Sequence, residues 1–183
     1  MIQRNLLPSI LAAISDTPVV FLRGARQTGK STLMLHIAEQ MYPARYMTLD
    51  NAVTLSAAAS DPVGFLSGLE KPVVIDEIQR VPELFLAIKE DVDRNRSPGR
   101  YLLTRSASNG SLPRISDALV GRMEALTLWP LSLTEKAGGT INIIDALFDP
   151  SFPKPLTPAP DFELYEHMIT GGFPEPFGRR PRR

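Results

Sequence analysis

Near its N-terminus the chain carries Gly24-Ala25-Arg26-Gln27-Thr28-Gly29-Lys30-Ser31-Thr32, which fits the pattern G-x-x-x-x-G-K-[ST]. The residues before it, 18–23, are short, apolar and β-branched, and they predict a buried strand. The residues after it, 31–41, place Leu33, Ile37 and Met41 on one face and predict a helix. Strand, glycine loop and helix follow in the order that makes this pattern a phosphate-binding loop.

The residue types in this loop suit an anion. Glycines at 24 and 29 allow a tight turn and a close approach of the backbone to the phosphates. The start of the following helix adds about half a unit of positive charge. We expect residues 24–32 to surround the phosphates of a nucleotide, with Lys30 at the β- and γ-phosphates and the Ser31 hydroxyl on Mg²⁺.

A second diagnostic segment is Pro72-Val73-Val74-Ile75-Asp76-Glu77, an apolar run that ends in two acids. The run predicts a central parallel strand covered on both faces. Ligands of open α/β sheets bind at the carboxyl ends of such strands. We expect Asp76 to hold Mg²⁺ and Glu77 to orient and deprotonate an attacking water. The alternative is an exposed acidic turn, and the phosphate-binding loop in the same chain favours the functional interpretation.

Three later positions have two interpretations each. Residues 100–104 predict another buried strand, whose end brings Thr104 and Ser106 beside the acidic pair. Their hydroxyls either contact the nucleotide or the attacking water, or cap the next helix. Arg122 precedes a predicted strand at 123–128. Its charge either pairs with the γ-phosphate of a nucleotide, in its own site or in that of a neighbouring copy, or forms a structural ion pair. We slightly favour the ion pair.

Composition limits the function classes. The 183 residues suffice for one domain of good size, and 20 acidic residues balance 20 basic ones, so no overall basic field favours nucleic acid. The absence of cysteine excludes disulfides and thiolate metal sites. No apolar run approaches a membrane span, and the first residues lack the pattern of a signal peptide. We therefore expect a cytoplasmic protein.

The character of the sequence changes after Ala137. A predicted helix at 113–120 and the strand at 123–128 precede Trp129, which we expect to pack in the core. Two glycines and a proline-rich tract at 150–160 then predict a linker, followed by a short helix from Asp161 and an arginine-rich tail at 179–183. We predict one domain over 1–137, and a linker with the start of a further region over 138–183.

Four segments together resemble a known family. They are 24–32, Asp76-Glu77-Ile78-Gln79 with the residues to Leu84, 102–107, and Gly121-Arg122-Met123-Glu124 to Trp129-Pro130-Leu131-Ser132. The order is similar to that of prokaryotic AAA-type P-loop ATPases whose ATPase domain precedes a C-terminal domain of unknown function. The resemblance implies a three-layer α/β P-loop NTPase fold with a mostly parallel, five-stranded sheet and helices on both faces. It also implies that one strand lies between the acidic strand and the loop strand.

The resemblance assigns ATP and Mg²⁺ to Lys30, Ser31, Asp76 and Glu77, and a polar sensor to the stretch around Thr104 and Ser106. Three departures stand out. Arg105 replaces a glycine usual in the family, which puts the sensor geometry in question, and Asn51 replaces a frequent acidic residue. Family members also continue past residue 175, so we expect this chain to be the N-terminal part of such a protein.

These residues predict Mg²⁺-dependent hydrolysis of the β–γ bond of ATP, with turnover limited by the need for an arginine from a partner or a neighbouring copy. The alternative is a nucleotide-dependent switch with negligible hydrolysis. A small-molecule kinase is less favoured, because we find no arginine-rich lid segment. A nucleic-acid partner is conceivable by analogy with other AAA-type proteins, but the net charge does not support it.

Overall fold

The structure, a computed structural model, describes residues 2–106, 119–136, 138, 148 and 161–178. Residues 113–118 of the predicted helix, the proline-rich tract and the arginine tail lie outside the described residues. The helices and strands, in chain order, are α1 (Leu7–Asp16), β1 (Val19–Gly24), α2 (Lys30–Gln40), β2 (Arg45–Thr48), α3 (Ala52–Ser60), α4 (Pro62–Ser67), β3 (Val73–Asp76), α5 (Leu84–Arg94), β4 (Tyr101–Ser106), β5 (Met123–Thr127), α6 (Leu133–Lys136), α7 (Asp161–Thr170) and α8 (Pro174–Gly178).

The strands form one five-stranded sheet in the order β2-β3-β4-β1-β5, with every described pairing parallel. Strand β4 lies between the acidic strand β3 and the loop strand β1, which confirms the predicted arrangement. The register runs from Val19 opposite Tyr101 to Gly24 opposite Ser106. Because the strands are parallel, the segments that follow β1, β3 and β4 meet at one edge of the sheet.

The two faces of the sheet are covered by different helices, as the alternation of strand side chains requires. One set of strand residues, including Phe21, Ile75 and Leu103, packs in a core with Ile88 and other residues of α3, α4 and α5. Phe21 and Phe85 meet edge to face with ring centroids 6.0 Å apart. The opposite set is also buried, and α2 contacts the sheet there.

Two element boundaries differ from the positions that the sequence predicts. Residues 45–50 predict a strand, but β2 ends at Thr48, although the Leu49 amide still donates to the Asp76 carbonyl at 3.0 Å. Residues 55–59 predict a short helix, but α3 begins at Ala52 because the Asn51 side chain accepts hydrogen bonds from the amides of Val53 and Thr54, at 3.0 and 3.1 Å. Asparagine at this position is therefore a helix cap.

The prediction that Trp129 packs in the core is wrong, because 72% of its surface is exposed. The residue before it, Leu128, is buried and its amide donates to the Arg23 carbonyl at 2.7 Å. Extended chain turns successive side chains to opposite sides. Leu128 therefore occupies the core position, and the tryptophan next to it faces outward.

The described contacts divide the chain into two units, Pro8–Leu128 and Met1–Leu7 with Trp129–Arg183. The first unit contains the whole sheet. The predicted boundary between 137 and 138 stays a prediction. Within the described ranges, no helix is both long enough and apolar enough to cross a membrane.

A buried ion pair organises the second unit. The Glu135 carboxylate accepts hydrogen bonds from Arg4 Nε at 3.1 Å, the Asn5 amide at 2.7 Å and the Ser132 amide at 2.9 Å. Arg4 also donates to the Trp129 carbonyl at 2.6 Å. Burial alone would raise the pKa of Glu135, but these hydrogen bonds and the Arg4 charge hold the pKa below its usual value. The N-terminal segment is thus tied to the segment that follows the sheet.

We predict that this tie is lost in acid and in Glu135→Gln. Because folding lowers the pKa of Glu135, its stabilisation is present above the usual carboxyl pKa and is lost as the pH falls through the folded value. Breaking one side of a buried pair costs about 3–5 kcal/mol. The protection factor of the Asn5 amide, which is the intrinsic exchange rate at the same pH divided by the observed rate, should fall in both cases. The exposed Glu39→Gln is the control, and unchanged exchange in Glu135→Gln would refute the role of this ion pair.

We also predict that Gly24→Ala destabilises the sheet. A Cβ at position 24 would lie 2.4 Å from the Leu128 carbonyl oxygen, a backbone atom that has little freedom to move. Overpacking of this kind costs about 1–3 kcal/mol. Urea unfolding without nucleotide measures the effect. In Gly68→Ala the new Cβ would lie 3.6 Å from its nearest neighbour, so that variant should be no less stable than the parent. Equal stability of the two variants would contradict the packing argument.

Candidate functional site

The loop between β1 and α2 folds tightly at the carboxyl edge of the sheet. Gly29 has a φ of 92°, in the left-handed region, as the prediction of a tight glycine turn requires. The lack of a side chain at Gly24 admits the Leu128 carbonyl, whose oxygen would lie 2.4 Å from a Cβ at this position. The approach of an anion to Gly24 stays a prediction. Ala25, Arg26 and Gln27 are exposed at the tip of the loop.

Two side chains turn back onto the loop backbone. Thr28 Oγ1 and Lys30 Nζ both donate to the Ala25 carbonyl, at 2.9 and 2.8 Å. Helix α2 begins at Lys30, and Gly29 at its N-cap has no side chain to cap the amides of the first turn. Those amides and the Lys30 ammonium group therefore form the cationic side of the site, while Ser31 is half-buried and Thr32 is exposed.

Asp76 is a buried carboxylate surrounded by hydroxyl groups. It is 4% exposed. Ser31 Oγ lies 3.0 Å from Oδ1 and 2.9 Å from Oδ2, and the Tyr46 hydroxyl donates to Oδ2 at 3.0 Å. Thr104 Oγ1 donates to Oδ1. Hydroxyl groups from α2, β2 and β4 thus hold a single carboxylate at the end of β3.

Glu77 follows in a left-handed backbone conformation, with a φ of 59°. Its amide donates to Thr104 Oγ1 at 3.1 Å. Ser106 Oγ donates to Oε1 at 2.6 Å, and Gln79 Nε2 donates to Oε2. These contacts aim the Glu77 carboxylate across the edge of the sheet towards the end of β4.

The charges of the site act on one another. Burial lowers the pKa of Lys30, while the negative charges of Glu77 and Asp76 oppose this shift. Burial would raise the pKa of Glu77, but hydrogen bonds from Ser106 and Gln79 and the Lys30 charge bring the pKa below its usual value. Burial and the Asp76 charge raise the pKa of Tyr46, so the phenol stays protonated and donates. Glu77 is therefore ionised at neutral pH.

The structure brings together Lys30, Ser31, Asp76 and Glu77, with Thr104 and Ser106 beside them. Thr104 is fully buried and its hydroxyl bridges Asp76 and the Glu77 amide, while Ser106 contacts the Glu77 carboxylate. Contact of either hydroxyl with a nucleotide stays a prediction, as does contact of the loop residues 24–32 with its phosphates.

Sequence reasoning missed two residues of this site. Tyr46 belongs to a strand that drew no functional assignment, and Gln79 was noted only as part of a family-like segment. A weak signal existed for Tyr46, since a tyrosine on a strand next to an acidic strand can reach the carboxylate on the same face. The contact of Gln79 with the Glu77 carboxylate depends on the left-handed backbone at Glu77, which no local sequence pattern predicts.

The chain is similar in sequence to a known protein family and to two mycobacterial proteins. A family model described as "AAA domain" matches residues 16–137. Two uncharacterised proteins, from Mycobacterium tuberculosis and Mycobacterium bovis, are each 35% identical over 133 residues, which is 73% of this chain and 30% of theirs. The chain belongs to the AAA domain family. It spans about 30% of the length of these two relatives.

Solved structures with the same fold include a Walker-type ATPase and a DnaA protein bound to AMPPCP. The Walker-type ATPase PABY2304 of Pyrococcus abyssi superposes with a TM-score of 0.56 at 15% identity, over 97% of this chain and 65% of its own. AMPPCP-bound DnaA of Aquifex aeolicus gives a TM-score of 0.54 at 13% identity, over 94% of this chain and 57% of its own. The AAA domain therefore has the three-layer α/β P-loop NTPase fold, and membership of the family supports nucleotide binding.

Two arginines of this AAA domain lie away from the acidic pair. Arg105 occupies the strand position next to Thr104 and therefore faces the opposite side of the sheet from it. Arg122 precedes β5, and its carbonyl accepts a hydrogen bond from the Val19 amide at the start of β1. Arg122 therefore lies at the amino edge of the sheet, opposite the loop that follows β1. Its side chain donates to Asp93 Oδ1 at 2.5 Å. This ion pair agrees with the favoured structural interpretation, and Arg122 lies at the edge of the sheet opposite the loop at 24–32.

We predict that Ser106→Ala raises the pKa of Glu77. The Ser106 hydroxyl donates to Glu77 Oε1 at 2.6 Å and lowers this pKa, and alanine removes the hydroxyl while the backbone amide remains. Side-chain ¹³C NMR titration of the AAA domain measures the shift. Ser67→Ala is the control, since Ser67 is an exposed residue that donates only to the Gly64 carbonyl at 2.9 Å. A Glu77 pKa that does not move would show that the hydroxyl contact is not formed in solution.

Proposed function

We propose that this AAA domain binds Mg²⁺-ATP and hydrolyses the β–γ phosphate bond. One observation carries the proposal: a cationic loop with Lys30 and an acidic pair with Glu77 meet at one edge of the sheet, joined by the contact of Ser31 with Asp76 at 2.9 Å. Cationic groups bind phosphate, and an ionised carboxylate beside them can orient a water and accept its proton.

The donor set near Ser31 fits Mg²⁺. The Ser31 hydroxyl and both carboxylate oxygens of Asp76 converge within 3.0 Å, and hard oxygen ligands are what this ion prefers. Ser31 and Asp76 would hold the ion. When bound, Mg²⁺ neutralises charge on the phosphate oxygens.

The residues of the chain divide the remaining work. Lys30 and the first amides of α2 bind the phosphates and stabilise the charge that moves to the leaving diphosphate. Glu77 orients a water and takes its proton as the water oxygen bonds to the γ-phosphorus and the bridging oxygen leaves. Thr104 aligns the pair, since it joins Asp76 to the Glu77 amide.

The proposal includes a further cation, from outside the domain, that stabilises charge on the γ-phosphate during hydrolysis. Because Arg122 lies at the far edge of the sheet, its own guanidinium does not reach the phosphates of its own domain. An arginine from a second copy or from a partner would supply that charge, an effect worth about 10³–10⁵ in rate. We therefore expect slow turnover by the chain alone.

A nucleotide-dependent switch with negligible hydrolysis is the second candidate. One observation favours it: Ser106 and Gln79 donate to both carboxylate oxygens of Glu77, so the base is engaged by the protein before any water. In a switch this engagement would persist with nucleotide bound.

We predict that Lys30→Ala abolishes binding and Glu77→Gln abolishes turnover only. Glutamine retains the shape of the side chain but cannot accept the proton, so phosphate release should fall by about 10²- to 10⁴-fold while ATP still binds. A fluorescent ATP analogue and a phosphate-release assay measure the two steps. Lys89→Ala and Glu39→Gln are matched controls away from the site.

The outcomes separate the candidates. Binding that requires Lys30 and release that requires Glu77 would establish the hydrolase. Binding that requires Lys30 with no release by the parent chain, even with an added arginine-bearing partner, would favour the switch. Binding that survives Lys30→Ala would contradict both.

A further inference from the structure

Tyr46 contacts the site without a role in the mechanism above. It lies on the edge strand β2, in register with Val74, so its side chain shares a face of the sheet with Asp76 two positions further along β3. Its hydroxyl donates to Asp76 Oδ2 at 3.0 Å. A half-buried phenol on an edge strand thus reaches across to the carboxylate that we propose as a magnesium ligand.

We propose that Tyr46 is a positioning residue for Mg²⁺, whose hydroxyl fixes the rotation of the Asp76 carboxylate towards Ser31. The inference rests on the proposed function, because it names the group that prepares the metal-holding residue. Groups that hydrogen-bond a metal ligand orient it and tune its affinity.

The hydrogen bonds of Asp76 show why the phenol is needed. Thr104 holds only Oδ1, and Ser31 lies almost equally far from Oδ1 and Oδ2, at 3.0 and 2.9 Å. A single hydroxyl proton shared between two oxygens does not fix the plane of a carboxylate. Tyr46 alone donates specifically to Oδ2 among the described contacts, so Tyr46 and Thr104 together set the plane.

The structure also supplies a matched control for a purely structural tyrosine. Tyr101 begins β4 at the opposite edge of the sheet, and its hydroxyl donates to Asp91 Oδ2 at 2.6 Å. Tyr46→Phe and Tyr101→Phe therefore delete the same kind of contact, a tyrosine hydroxyl on an aspartate, at opposite ends of the same sheet. Only the first contact concerns the metal.

The experiment measures binding of an N-methylanthraniloyl derivative of ATP over a series of free Mg²⁺ concentrations and in EDTA. We expect Tyr46→Phe to raise the Mg²⁺ concentration for half-maximal enhancement of binding by about 10-fold, the lower end for such groups because Thr104 remains. Binding in EDTA should be unchanged. Tyr101→Phe should keep the Mg²⁺ dependence of the parent chain, whatever its thermal stability.

Three results would overturn the inference. The first is an unaltered Mg²⁺ dependence in Tyr46→Phe. The second is an equal loss of binding in EDTA, and the third is loss of the native circular dichroism spectrum, since either would mean that the hydroxyl serves the fold instead. Failure of the proposed function itself is distinct, because the parent chain would then show no Mg²⁺-dependent binding, or binding that survives Lys30→Ala.

Discussion

The buried carboxylate of Asp76 is the constraint on which the rest of the site depends. A carboxylate that is 4% exposed needs hydrogen bonds, and the fold supplies them as hydroxyls from three elements. Each hydroxyl is also a spatial restraint. Ser31 brings the start of α2 to the end of β3, and Thr104 brings β4 to the same point. The loop, the acidic pair and the sheet edge are therefore mutually positioned by one ionised group.

The two edges of the sheet divide structural and chemical tasks. At the amino edge, Arg122 pairs with Asp93, while Arg100 and the Tyr101 hydroxyl both contact Asp91. Arginine side chains neutralise both of these aspartates, as expected for ion pairs that stabilise the fold. At the carboxyl edge, Asp76 and Glu77 receive mostly neutral donors, and their negative charge remains available to a metal ion or a proton. The edge with ion pairs is therefore distinct from the edge with the candidate site.

Much of the fold was predictable from the sequence, because the apolar strands and the two motifs carry local signals. The family resemblance implied one strand between β3 and β1, and the meeting of Thr104 with Asp76 followed from parallel strands ending together. Tyr46 and Gln79 were missed because their contacts depend on side-chain reach between elements and on the turn at Glu77. Trp129 was misassigned because the alternation past β5 depends on where the last strand pairing falls. The close approach of the Leu128 carbonyl to Gly24 likewise has no local signal in the sequence.

The left-handed backbone at Glu77 restricts which residue types can occupy this position. Glycine, asparagine and aspartate tolerate such a conformation best. The first two carry no carboxylate, and aspartate, one methylene shorter, would not bring its oxygens to the end of β4. Glutamate therefore occupies a position where the backbone disfavours it, at a cost of about 1–3 kcal/mol. The length of the glutamate side chain, which reaches the end of β4, thus comes with an unfavourable backbone conformation. Substitutions that relieve this backbone strain would remove the carboxylate or shorten its side chain.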